Sequence, residues 1–146
     1  MMNDTVRTVM KERFGKECLI SVATIDNSIP SVRTVCGYYE DGYFYVVTYT
    51  LSKKMQHIAV NPVVAVCGDW FSGHGIGENL GHVLDEKNAE LIAKLREVFA
   101  GWYYEGDVDE ADPNTCILSI RLTDGILKHA MGKTLRIDFT QEEQAE

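Results

Sequence analysis

Arg33-Thr34-Val35-Cys36, then Thr48-Tyr49-Thr50-Leu51-Ser52-Lys53-Lys54, then Asn61-Pro62: in that order these stretches read as strand, hairpin, strand and a short helix entered through a serine and two lysines. A serine at a helix start leaves backbone N–H groups pointing outward, and such groups bind anions. Lys53 and Lys54 in the first turn oppose the helix dipole, at a cost of about half a kcal/mol each unless an anion is present. With Arg33 and Thr48 converging from neighbouring strands, the pattern points to a bound phosphate. Two plainer readings stay open. The lysines could be a solvated pair, and Arg33, between Val32 and Val35, could simply point outward.

Outward from this segment, the elements fall into place. Val6, Val9, Met10 and Phe14 have helical spacing, with Asp4 or Thr5 as the cap and the helix on the side of the domain. Strands are expected at 19–25, 29–36 and 43–49, separated by Asp26-Asn27-Ser28 and by the hairpin signal Glu40-Asp41-Gly42. The helix from Ser52 buries Met55, Ile58 and Ala59 and ends at Asn61-Pro62. Residues 63–67 read as a buried strand. A glycine-rich segment, Gly73-His74-Gly75-Ile76-Gly77, leads to a fifth strand at 79–84. Asp85 caps a long helix that buries Leu91, Ile92, Leu95, Val98, Phe99 and Trp102. An acidic loop, 105–112, precedes a last pair of strands at 116–122 and 125–129, with a short one at 135–139. Short turns between successive strands favour antiparallel pairing. The pattern suggests a small closed or half-open barrel rather than a βαβ sheet.

The bulk properties agree. The chain has 146 residues, enough for one domain spanning 1–146. It is 45% hydrophobic and 25% charged, which suits a soluble globular protein. The formal charge of −8 argues against nucleic acid and anionic membrane surfaces, while a few local cations still suit a small anion. The four cysteines form no C-x-x-C pair, and Cys36 and Cys67 lie in apolar runs, so they read as buried thiols of a reduced, cytoplasmic protein. No membrane span or secretory signal is expected.

Other chemistry has less support. The alternating glycines do not have G-x-G-x-x-G spacing and instead suggest close approach of a ligand or neighbouring chain. His74 within them is either a functional histidine or a surface one. Cys67, His74 and His82 lack zinc spacing, and no metal is expected. The acidic loop lacks the glycine and distal glutamate of a calcium site. Hydrolase and kinase motifs are absent.

Ser21-Val22-Ala23-Thr24, Pro30-Ser31-Val32-Arg33, Thr48, Ser52-Lys53-Lys54, Asn61-Pro62 and the stretch Trp70–Gly81 together resemble the FMN-binding split-barrel family related to pyridoxamine 5'-phosphate oxidase, in its short general-stress-protein branch. The resemblance spans roughly residues 5–140. It implies a mainly β fold: a six-stranded antiparallel split β-barrel of Greek-key type with flanking helices. It implies a homodimer with FMN at the subunit interface. Arg33 and Lys54 would bind the FMN phosphate, with Ser52 and Lys53 nearby. The backbone around Thr34 and Val35, with Val47 and Thr48, would line the ring and ribityl chain. Trp70, His74 and Gly75 would reach the flavin from the partner chain, with His74 the candidate proton donor and the catalytic residue otherwise unknown. The oxidase's terminal arginine- and histidine-rich motif is missing, since the chain reads Met131-Gly132-Lys133-Thr134-Leu135-Arg136-Ile137-Asp138-Phe139 there. The implied activity is therefore an FMN-dependent oxidoreductase with another small-molecule substrate. The alternative is a flavin-binding or redox-sensing stress module without turnover. A haem-handling barrel finds only scattered histidines to support it.

Overall fold

The computed structural model describes residues 3–140. Met1 and Met2, where no secretory signal was expected, and the last six residues of the expected 1–146 domain lie outside the described residues. Strands β1 (Cys18–Asp26), β2 (Ile29–Glu40), β3 (Tyr43–Tyr49), β4 (Val63–Gly68), β5 (Phe71–His82), β6 (Thr115–Ala130) and β7 (Lys133–Asp138) form one antiparallel sheet. Its order is β3-β2-β1-β4-β5-β6-β7, and β3 also pairs with β6. The first six strands therefore close into a barrel, and β7 extends the end of β6. Because β4 returns beside β1 after the β1–β2–β3 meander, the connection is a Greek key.

Local chemistry explains the turns. Asn27 and Ser28 have φ of 47° and 72°, and Asp41 and Gly42 have 47° and 91°. Both pairs therefore adopt the left-handed conformations of the hairpin turn whose twist matches its strands. Helix α1 (Asp4–Phe14) is capped by Asn3, whose side chain accepts from the Thr5 N–H at 2.6 Å, rather than by Asp4 or Thr5. It flanks the barrel with Arg7, Thr8, Lys11 and Glu12 exposed on its outer side. Val6, Val9, Met10 and Phe14 enter the barrel's own core, with the Phe14 ring 5.5 Å from Phe44 and 5.9 Å from Phe71. Helix α2 (Lys53–Val60) adds Met55 and Ile58 to the same core.

Three segments differ from the sequence expectation. The glycine segment is the first half of β5, not a connection before it. Its glycines face inward, and what approaches them is this chain's own core. A Cβ on Gly75 would lie 2.6 Å from Ile120 Cγ2 and 2.8 Å from the Arg121 carbonyl oxygen. The expected last strand pair is one 16-residue strand, β6. His74 pairs with Asp124 and Gly75 with Leu122, so Thr123 is an extra residue in a bulge, and pairing with β5 continues on both sides. The long helix is broken. Asp85 caps a short 3-10 turn, α3 runs Ala89–Val98, and a helical turn at 100–102 leads into a wider turn at 103–107.

A second core lies outside the barrel. Ile92, Leu95, Phe99 and Tyr103 cover Tyr38, Val83 and Ile117 there. Among the described residues, no helix is long and apolar enough to cross a membrane. Leu95 is fully buried beneath α3. Leu95→Ala is expected to cost about 2–5 kcal/mol, read as a lower denaturant midpoint. An unchanged midpoint would refute that burial.

Candidate functional site

Arg33 lies opposite Val22 in the β1–β2 register and shares its inward face. The side chain therefore turns into the barrel's mouth rather than outward. Its Nη1 donates to Thr24 Oγ1 at 2.7 Å, with the Val22 and Ser31 carbonyl oxygens at 3.2 and 3.3 Å. Across the mouth, Lys54 in the first turn of α2 donates from Nζ to Thr48 Oγ1. Burial pushes the Lys54 ammonium below the ordinary amine range, and the nearby Arg33 guanidinium pushes it further. Burial also lowers Arg33. Two desolvated cations thus repel one another across a small space.

Ser52 completes the arrangement. It occupies the N-cap position of α2, yet its side chain makes no capping bond. Its Oγ is buried without a hydrogen-bond partner. A buried hydroxyl with no partner costs free energy, and a helix start presents N–H groups lacking intrahelical partners. Half-buried cations, an orphaned hydroxyl and a helix N-terminus together fit an anion with several acceptor oxygens, as a phosphate has.

The structure brings Arg33, Thr48, Ser52 and Lys54 to this mouth, with Lys53 beside them in the first turn of α2, and places the other expected residues elsewhere. Lys53 and Thr34 are exposed, with Thr34 on the outer sheet face opposite Ser21. Val35 packs on the barrel core, and Val47 faces the second core outside it. Gly75 is filled over by Ile120. Trp70 occupies the β4–β5 turn with φ of 52°, beyond the Ser21–Cys67 pair and away from Thr24, so it lies towards the opposite end of the β1–β4 ladder. There it borders a cavity of about 420 Å³ with Arg13 and Lys128, and the Lys128 Nζ lies 5.3 Å from its ring centre.

His74 lies on the outer face of β5. Its Nδ1 is 2.9 Å from Asp124 Oδ1, and both side chains are more than half exposed. Donation of Nδ1–H to that carboxylate leaves Nε2 directed elsewhere. The pair borders a shallow cavity of about 280 Å³ floored by small residues, among them Ser21, Ala23, Ala65 and Ser72. Cys67 lines it too and is exposed, not buried as its apolar run suggested. Cys36 is half-buried, and all four cysteines are free thiols. Among the described residues, no group of three or more His, Cys, Asp or Glu side chains is placed to hold a metal ion.

Sequence reasoning missed Thr24, His57 and Asp124. Thr24 is fully buried and continues the inward alternation of Ile20 and Val22. That alternation marks it as a polar group in need of a partner. His57 falls one helical turn after Lys54, a spacing that shares a face. Nothing in the sequence pairs Asp124 with His74.

The pyridoxamine 5'-phosphate oxidase family matches residues 6–129, and the chain belongs to that family. No curated protein matches it in sequence. Among solved structures, general stress protein 26 from Bacillus anthracis is similar at 19% identity and a TM-score of 0.66, covering 90% of this chain and 98% of that one. A FAD-binding protein from Mesorhizobium loti is similar at 16% identity and a TM-score of 0.62, covering 81% and 90%. A heme binding protein from Mycobacterium smegmatis shares the fold at 12% identity and a TM-score of 0.64, covering 86% of this chain and 54% of that one.

The partial burial of Lys54 has a consequence for stability. Because Lys54 is depressed in the native state, the unfolded chain binds more protons between the lowered value and the ordinary 10.5. Stability therefore rises with pH through that window, and at neutral pH the burial penalty is fully present. An anion at the mouth offsets the penalty. Inorganic phosphate is expected to raise the melting temperature at neutral pH. Lys54→Met is expected to melt no lower than wild type without phosphate and to gain less from it. A less stable variant with an undiminished phosphate response would contradict this.

Proposed function

We propose that the chain is an FMN-binding flavoprotein, an FMN-dependent oxidoreductase acting on a small molecule other than pyridoxamine phosphate. The observation that carries this reading is the pair of half-buried, mutually repelling cations, Arg33 and Lys54, beside the orphaned Ser52 hydroxyl. In a chain of this family, a single terminal phosphate answers all three. Arg33 and Lys54 hold it, and Ser52 and the first N–H groups of α2 donate to it. A FAD-binding protein with the same fold supports a flavin as the ligand class.

The remaining cofactor residues belong to a homodimer in this reading. Leu19, Val32 and Val63 stand on the outer sheet face at 69, 71 and 48% exposure, flanking the shallow cavity, and a second copy would cover them. The same second copy would bring its Trp70 and His74 region to the ring, with Thr34 lining it from this chain. A bound flavin supplies an electron-accepting ring. The protein positions it, excludes water and, at His74 Nε2, holds or releases a proton, with Asp124 fixing the ring's orientation. Four free thiols and no disulfide among the described residues support a cytoplasmic setting for this reading.

Purified protein incubated with FMN and desalted is expected to keep flavin absorbance at about one equivalent per chain. Replacing Arg33 and Lys54 together by Ala is expected to abolish retention. A colourless wild type, or a double variant that stays yellow, would sink the reading. Retained flavin without consumption of a reduced nicotinamide would favour a redox-sensing module over an enzyme.

A further inference from the structure

Behind Arg33 stands a chain of side chains that phosphate binding alone does not require. Thr24 is fully buried. Its Oγ1 accepts from Arg33 Nη1 at 2.7 Å and lies 2.8 Å from His57 Nδ1. On the far edge of the ring, His57 Nε2 is 3.6 Å from Asp26 Oδ2. The histidine side chain is 10% exposed and the carboxylate 60%.

Counting protons limits what this chain can do. Arginine only donates, so Thr24 accepts from Arg33 and has its own hydroxyl hydrogen left for His57. That bond needs an unprotonated Nδ1. In that arrangement the neutral ring carries its proton on Nε2, toward Asp26. When the ring is doubly protonated, Nδ1 donates as well. Thr24 Oγ1 then accepts from two cations, and its own hydrogen must turn elsewhere.

The charges around the ring set the direction of the effect. From β1, His57 meets the Asp26 carboxylate, and from β2, through Thr24, the Arg33 guanidinium. On α2 itself, Lys54 and Lys53 precede it by one turn. Strand β5 packs on α2 through Gly77 against Ile58, with exposed Glu78 next in the strand. A protonated ring would be a third cation beside Arg33 and Lys54.

We propose that Thr24 and His57 are positioning residues for Arg33, and that through them phosphate binding at the mouth is coupled to proton uptake by His57. The inference rests on reading the mouth as the flavin phosphate site. Without an anion, a proton on the ring would add a third charge to the repulsion between Arg33 and Lys54, with the Asp26 carboxylate opposing it. A dianion reverses that balance. Binding therefore draws a proton onto His57, and by linkage a falling pH tightens binding. Neither residue touches the anion. One orients the guanidinium, and the other sets the charge behind it.

The test titrates riboflavin 5'-phosphate into wild type, His57→Gln and Thr24→Val from about pH 5 to about pH 8, the span in which imidazoles change charge. Calorimetry in buffers of different ionisation enthalpy reads the protons taken up. His57→Gln retains the ligand's own phosphate ionisation, so the difference from wild type isolates His57. Wild type is expected to take up additional protons on binding. Its affinity relative to His57→Gln should rise about tenfold toward the acid end, equivalent to one unit of coupling. Thr24→Val should bind about tenfold more weakly throughout. Parallel wild-type and His57→Gln profiles, with equal proton uptake, overturn the proposal. Should His57→Gln fail to fold, the His57 imidazole followed by NMR through the same pH span in wild type, with and without the ligand, reads the uptake at that residue directly, and a titration unmoved by the ligand overturns the proposal. If wild type does not bind the flavin, the same titration with inorganic phosphate separates the two ideas. A His57-dependent phosphate profile keeps the coupling and discards the flavin, while no such profile discards both.

Discussion

A barrel of six strands encloses little volume, and that constraint governs this molecule. Side chains from every strand compete for the same interior. The chain meets the limit by leaving β5 nearly bare on its inner side, so that Ile120 and Ile58 lie over Gly75 and Gly77. The open ends are then filled from elsewhere. Phe14 arrives from α1 and meets Phe44 and Phe71 edge-on, while Met55 and Ile58 arrive from α2. Polar groups have no place in the middle of such a core. Arg33, Thr24, Thr48 and Lys54 are accordingly gathered near α2, where a helix start can answer them.

That crowding also explains why the cations are poised rather than neutralised. Arg33 is held by a hydroxyl and two carbonyl oxygens, and Lys54 by a hydroxyl. Neutral acceptors orient a cation without cancelling its charge. By contrast, Arg96 is paired bidentately with Glu110 at 2.8 and 3.0 Å, and Tyr103 donates to the same carboxylate at 2.6 Å. That cluster is internally satisfied and tethers α3 to the segment that follows it. The two arginines show how one residue type serves a structural and a ligand-seeking role according to its partners.

The sequence made legible what depends on local chemistry. The two hairpin turns were readable because Asn27-Ser28 and Asp41-Gly42 tolerate left-handed conformations, and α2 because Ser52 and Asn61-Pro62 bracket it. The family resemblance carried Arg33 and Lys54 to one site. What escaped was set by long-range pairing. Thr123-Asp124-Gly125 has the composition of a turn, yet strand β5 holds it extended as a bulge. The glycines of β5 have no hydrophobic period to read, since their role is to make room. Thr24 looked like strand filler, and only the register that sets Arg33 across from Val22 reveals it as the guanidinium's acceptor. His74 was legible as a candidate, but its carboxylate partner lies 50 positions away.

The seam between β3 and β6 has a consequence for how the chain assembles. It matches Tyr43 with Arg121 and Tyr49 with Thr115, joining residues roughly seventy positions apart. The β1–β2–β3 and β4–β5 hairpins need only short loops and can form early. The seam must wait for α2, two strands and α3 to be in place before loop closure is rewarded. Until then, β3 and β6 each expose an unpaired edge, β3 being rich in aromatic and β-branched residues. The interval before the seam zips is thus when this chain is most prone to pair with another copy of itself through the wrong strands.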